Sequence, residues 1–191
     1  MVEAAILSTT AHGVVLGILA ATTIVAAIVT GRVFRPATNG LDLQIPRSLA
    51  ALRAAVGSTD DERRRNRNNI YADFAFLASY TALFVAAGSL LARQGPEWAT
   101  VLGVAAIVTG VLTGILDVLE DVTILEELRP GADLARLYSR VRGFSIPKWM
   151  LAALTDLLLA SFFAFGWWAL LGIPAVAASA VSARMAWGAL S

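Results

Sequence analysis

Four stretches of predominantly apolar residues constrain this chain more than any other feature, at residues 7–30, 70–92, 98–121 and 149–171. A helix needs about 20 such residues to cross the roughly 30 Å hydrocarbon core of a bilayer, and each stretch is long enough. The stretches lack the apolar–polar alternation that is typical of strands in a membrane barrel. The sequence therefore predicts an all-α integral membrane protein, with one domain over residues 1–191.

The composition agrees with this fold class and excludes several kinds of site. Hydrophobic residues make up 58% of the chain and charged residues only 15%, whereas a soluble domain carries about 25% charged residues. The absence of cysteine excludes disulfides and thiolate-held metals. His12 is the only histidine, so a haem site is not expected either. The abundance of arginine and alanine indicates a bacterial source with a GC-rich genome.

The positions of the basic residues predict the orientation. The two connections at residues 31–69 and 128–148 hold thirteen of the fifteen Lys and Arg residues, and only Arg93 and Arg184 lie elsewhere. Loops rich in Lys and Arg stay in the cytoplasm. We therefore expect both connections to be cytoplasmic loops and both termini to lie outside the inner (plasma) membrane. Four spans with a short turn between the second and third favour an antiparallel bundle.

Three further segments are predicted to be helical. Residues 41–56 place Ile45, Leu49 and Leu52 at helical spacing between arginines, which is typical of a short cytoplasmic helix lying on the membrane surface. Ser58 and the acids after it resemble a helix start, so the second long helix should begin well before its apolar stretch. The residues after Pro174 are expected to form an outer C-terminal helical tail.

Small residues on the third apolar stretch predict close helix packing. Gly103, Gly110 and Gly114 lie on one side of that helix, and small residues let a neighbouring backbone approach. We expect this face to pack within the chain. A homo-oligomer or a hetero-oligomer is compatible with the same pattern.

The same helix side carries carboxylates further along. Asp117, Glu120 and Asp121 are three and four residues apart, so they share one face. They lie near the C-terminal end of the helix, where the macrodipole favours cations rather than anions. Such a violation of local preference tends to mark function. Residues expected at the same depth complete the candidate ligand-binding set, which comprises Tyr71, Asp73, Tyr80, Asp117, Glu120, Asp121, Lys148 and Asp156.

Two interpretations of these carboxylates stay open. They form a structural belt of ion pairs with Lys148, Arg142 and the arginines of residues 63–67, or they form a cytoplasm-facing pocket that binds or transports a cation or a cationic small molecule. Carboxylate oxygens suit hard metals such as Mg²⁺ or Ca²⁺. In the second interpretation Asp117, Glu120 and Asp121 are the main metal ligands.

Two alternative functions follow from other features. The Asp117-x-x-Glu120-Asp121 pattern, three residues in all, resembles the acidic metal motifs of prenyl-transfer enzymes. That resemblance implies a metal-dependent enzyme acting on a lipid or prenyl-diphosphate headgroup. The other alternative is a non-catalytic chain, an accessory or scaffold subunit of a larger membrane complex. The arginines of residues 63–67 are suited to anionic lipid headgroups, and no motif for nucleic acid is present.

Overall fold

The structure, a computed structural model, describes residues 2–38, 40–94, 97–163 and 184. Apart from the isolated residue 184, these residues form helices joined by short connections, and no strand occurs among them. The helices are α1 Val2–Arg32, α2 Gly40–Gln44, α3 Leu49–Val56, α4 Asp60–Gln94, α5 Glu97–Glu127 and α6 Leu134–Phe163.

Four of these helices, α1, α4, α5 and α6, are long and apolar enough to cross a membrane. The prediction of an all-α chain with four such helices is therefore confirmed. Helix α5 packs along both α4 and α6, and α1 packs along α4. Apart from residue 184, the predicted tail after residue 174 lies outside the described residues, as does the end of the fourth stretch at residues 164–171.

The start of α4 is fixed by a capping box. A side-chain oxygen of Glu62 accepts hydrogen bonds from the backbone N–H groups of Ser58 and Thr59, at 2.8 and 3.0 Å. In return, the Thr59 hydroxyl accepts a hydrogen bond from the Glu62 backbone N–H at 3.2 Å. This reciprocal arrangement satisfies N–H groups that the first helical turn leaves without partners. The predicted early start of the second long helix is confirmed.

The start of α6 differs from the prediction. Residues 134–148, expected to belong to a cytoplasmic loop, are helical, and the Asp133 side chain accepts a hydrogen bond from the Arg136 backbone N–H at 3.2 Å. Pro147 removes one helical hydrogen bond, yet the helix continues because packing holds it on both sides. Val141 is buried before the proline, and the Thr155 hydroxyl donates to that of Thr109 after it, at 2.7 Å.

The segment between α1 and α4 also differs from the prediction. One surface helix was expected over residues 41–56, but the structure has two short helices, α2 and α3, with Pro46 between them. Leu43 and Leu52 are fully buried against Ile124 of α5 and other apolar side chains of α4 and α6. Helical spacing revealed an apolar face correctly, but it does not reveal whether lipid or protein covers that face.

Close packing of α4 against α5 depends on glycine. A Cβ atom added to Gly103 would lie 2.5 Å from the backbone nitrogen of Ala92 and from the carbonyl oxygen of Gly88. A Cβ atom added to Gly110 would lie 2.7 Å from the Cβ atom of Phe84. These partners belong to α4 of the same chain, so the expectation that the small residues pack within the chain is confirmed.

Replacement of Gly103 by valine is expected to lower the free energy of unfolding by about 1–3 kcal/mol, because the helix backbones would have to separate. Unfolding in mixtures of dodecyl maltoside and SDS measures this change. Gly17→Val is the matched control, because an added Cβ at Gly17 meets nothing within 4 Å. Equal stability of the two variants would contradict the close approach of α4 and α5.

Candidate functional site

The carboxylates of α5 face the protein interior. Asp117, Glu120 and Asp121 are buried, whereas their neighbours Val118 and Leu119 are exposed. The helix is thus apolar on its outer side and acidic on its inner side, the reverse of a helix on the surface of a soluble protein. This arrangement follows from helical periodicity, since residues three and four apart share a face.

One ammonium group lies among these carboxylates. The Lys148 Nζ lies 2.8 Å from Asp117 Oδ1 and 2.8 Å from Glu120 Oε1, and all three side chains are buried. The Tyr80 hydroxyl donates a hydrogen bond of 2.6 Å to Asp117 Oδ2. Asp117 is therefore held at both of its oxygens, by a residue of α6 and a residue of α4.

Three carboxylates from two helices converge beside this ion pair. Asp73 of α4 and Asp117 and Asp121 of α5 each offer one oxygen, and these oxygens lie within 4.8 Å of one another. Oxygen ligands 2.3–2.6 Å from a common Ca²⁺ ion are at most about 5 Å apart. The spacing is thus compatible with one cation held by all three residues.

Several buried carboxylate oxygens have no hydrogen-bond partner. In the described part of the chain, seven buried side-chain polar atoms lack one, and five of these are oxygens of Glu120, Asp121 and Glu127. Asp121 and Glu127 are 0% exposed, and both oxygens of each are without a partner. Burial of a charged carboxylate without a partner is costly. A proton or a bound cation would each remove this cost.

A cavity of about 430 Å³ adjoins the carboxylates. Asp73, Asp117 and Asp156 contribute acidic groups to its wall, from α4, α5 and α6 respectively, and Lys148 lies beside them. Gln44 of α2 reaches the same cavity. Much of the remaining wall is apolar or aromatic and comprises Phe76, Tyr80, Leu83, Phe84, Trp149 and Ala152.

Most of the predicted site residues meet at this place. The residues that line the cavity are Asp73, Tyr80, Asp117, Lys148 and Asp156. One oxygen of Asp121 lies within 4.8 Å of one of Asp117, and Glu120 Oε1 lies 2.8 Å from Lys148 Nζ. Tyr71 is 57% exposed and is not among the lining residues.

Four of the arginines expected in an ion-pair belt have described contacts away from the α5 carboxylates. Arg63 pairs with Asp60, and Arg64 and Arg65 pair with Asp61, all within the first turns of α4. The Arg142 guanidinium donates to the Pro46 carbonyl at 3.0 Å. Among the ion pairs between described residues, Lys148 is the basic partner of Asp117 and Glu120.

Two features of the site were not in the predicted set of site residues, although the sequence contains a signal for each. Glu127 lies seven residues after Glu120, on the same helix face, and is equally buried. Phe76, Tyr80 and Phe84 recur at every fourth residue of α4, and their successive ring centroids are 5.3 and 5.6 Å apart. Such spacing places all three rings on one side of a helix.

The fold and the site together define an all-helical protein in which four helices are long and apolar enough to cross a membrane, with buried carboxylates beside a cavity. Comparison with models of protein families, with curated proteins and with solved structures finds no match. The functional argument therefore depends on the geometry of this site.

Proposed function

We propose that this chain is a cation-binding protein of a bacterial inner membrane and that it transports the cation it binds. Asp73, Asp117 and Asp121 are the proposed ligands. One observation carries the proposal: Asp121 is 0% exposed, both its oxygens lack partners, and one of them lies within 4.8 Å of oxygens of Asp73 and Asp117. A bound cation would satisfy these oxygens.

The proposed topology has four antiparallel spans, cytoplasmic connections and both termini outside. The concentration of Lys and Arg at residues 31–69 and 128–148 supports this orientation. The pairing of Gly103 with Gly88 and of Gly110 with Phe84 supports opposite directions for α4 and α5. In this topology the carboxylates lie toward the cytoplasmic ends of the spans.

The charges around the site support binding rather than a purely structural role. Lys148 occupies one oxygen of Asp117 and one of Glu120, which leaves Asp121 and Asp73 without an ammonium partner among the described ion pairs. A structural ion pair has no need of these further carboxylates. Ionisable residues within membrane helices are costly and tend to mark ion or substrate pathways. Glu120 acts in this proposal by positioning Lys148.

Thermal unfolding of the purified chain in detergent tests the proposal. We expect Mg²⁺, Ca²⁺, Mn²⁺ or a monovalent cation to raise the midpoint of the wild type, since a ligand at 100 times its Kd stabilises a protein by about 2.7 kcal/mol. Asp121→Asn should lose this response. Without cation the variant should be at least as stable as the wild type, because it buries a neutral amide instead of a charged carboxylate without a partner.

Glu126→Gln is the matched control for this experiment. Glu126 lies on the same helix, but it is partly exposed and pairs with Arg140 at 3.1 Å, so its replacement should leave the cation response intact. A response that persists in Asp121→Asn would contradict the proposed ligands. A wild type that responds to no cation would contradict cation binding and favour an accessory subunit.

A further inference from the structure

The cavity beside the carboxylates is much larger than a metal ion requires. Its volume is about 430 Å³, and pockets for organic small molecules begin at about 300 Å³. An inorganic ion would occupy only the space between the carboxylates of Asp73, Asp117 and Asp121. The remaining volume extends along α4 and α6, away from these oxygens.

The wall of the cavity is acidic around Lys148 and mostly aromatic or aliphatic elsewhere. Asp73 and Asp117 provide this acidic part, while Phe76 and Phe84 of α4 belong to the apolar part. Asp156 follows Lys148 by eight residues, about 12 Å further along α6, so its carboxylate lies apart from the acidic part. Aromatic ring faces attract organic cations, and apolar walls bind the body that carries the charge. A wall that combines both favours a ligand with one cationic group and one apolar group.

The charge of the wall excludes an anionic ligand. Among the described residues of the wall Lys148 is the basic one, and its ammonium group is already paired with Asp117 and Glu120. Carboxylates of Asp73 and Asp156 lie on the same wall. A phosphate or carboxylate in this cavity would meet like charges without a free ammonium group, whereas a cation would reduce the repulsion among the acids.

We infer that the ligand is an amphipathic organic cation, an ammonium group on an apolar body. Its charge lies beside Asp73 and Asp117, and its body lies against Phe76, Phe84 and Ala152. The inference depends on the proposed function, because it names the class of cation that the acidic site takes.

Binding of benzyltrimethylammonium to the purified full chain, measured by isothermal titration calorimetry, tests this inference. We expect it to bind about ten times more tightly than tetramethylammonium, which carries the same charge without the apolar body. Neopentylbenzene has the shape of the probe without its charge and should not displace it. Equal affinities for the two ammonium ions, or displacement by neopentylbenzene, would overturn the inference.

Two variants locate the probe within the cavity. Ala152→Phe fills the apolar part and should abolish binding of benzyltrimethylammonium while leaving the response to inorganic cations. Phe76→Leu keeps apolar bulk but removes a ring face, and it should weaken binding about five-fold. The second variant tests the inference even if the first does not fold. Unchanged affinity in either folded variant would place the probe elsewhere and overturn the inference.

The outcomes separate this inference from the proposed function. Stabilisation by inorganic cations without any binding of benzyltrimethylammonium would overturn the inference of an organic ligand. It would still support the proposed cation site. Binding of neither kind of cation would overturn both. Binding of benzyltrimethylammonium that Asp73→Asn abolishes would support both.

Discussion

Replacement of Lys148 by methionine is expected to lower the free energy of unfolding by about 3–5 kcal/mol, because it removes one partner from a buried ion pair. Lys148 is 4% exposed, and its ammonium group lies 2.8 Å from oxygens of both Asp117 and Glu120. Methionine fills similar space, so lost volume contributes little. The cost arises from two buried carboxylates that lose their ammonium partner at once.

The design of this experiment separates charge from packing. Unfolding in mixtures of dodecyl maltoside and SDS measures the stability of each variant. The triple variant Lys148→Met/Asp117→Asn/Glu120→Gln should recover most of the loss, because neutral amides replace the carboxylates. Arg140→Met is the matched control, since Arg140 pairs with Glu126 on a partly exposed surface, where such a pair contributes about 0–1 kcal/mol.

The outcome decides whether the ion pair stabilises the fold. A loss of less than about 1 kcal/mol for Lys148→Met would contradict a large contribution of the buried ion pair to stability. A large loss that the triple variant does not recover would indicate that Lys148 acts mainly through packing. Only recovery supports the ion pair as the source of stability.

The four long helices were predictable because their signal is local. Each depends on the length of an apolar stretch, and the helix start at Asp60 depends on the adjacent Ser58 and Glu62. The extension of α6 to Leu134 was not predicted, because its first turns carry charged residues that resemble a loop. The division of residues 41–56 had a local signal in Pro46, because proline disfavours helix at the residue before it. The burial of Leu43 and Leu52 against α5 and α6 depends on packing, which no short window contains.

The candidate site was predictable to the extent that one helix determines it. Asp117, Glu120 and Asp121 share a face by periodicity, and the structure buries that face. The convergence of Asp73 from α4 depends on how two helices pack, so the sequence could suggest only a common depth. Tyr71 and Tyr80 are equally plausible partners in sequence, and the rotation of α4 places Tyr80 at Asp117 and leaves Tyr71 exposed.

The segment formed by α2 and α3 contributes Gln44 to the wall of the cavity, and Asn66 of α4 forms hydrogen bonds to the chain at both ends of this segment. Asn66 is 0% exposed, and its side-chain oxygen accepts a hydrogen bond from the Ala37 backbone N–H at 2.8 Å. Its side-chain nitrogen donates to the carbonyl oxygen of Ala55 at 3.0 Å and to the hydroxyl of Thr38 at 3.2 Å. One amide thus connects α4 to chain on both sides of α2.

Replacement of Asn66 by leucine is therefore expected to lower the free energy of unfolding by about 1–3 kcal/mol, because the Ala37 N–H loses its partner. The Ala55 carbonyl keeps the hydrogen bond that the Thr38 hydroxyl donates to it. Trypsin should also cleave faster at Arg47 and Arg53, which border or lie within the released helices. Asn68→Leu is the matched control, because Asn68 is exposed on the same helix.

Cation binding distinguishes a local role of Asn66 from a role in the site. Asn66 is not among the residues that line the cavity, whereas Gln44 of α2 is. If the segment only covers the cavity, Asn66→Leu should accelerate both association and dissociation of the cation and leave its Kd within about two-fold. A Kd that rises as much as in Asp121→Asn would contradict this expectation, because it would mean that α2 and α3 hold the carboxylates in their binding geometry.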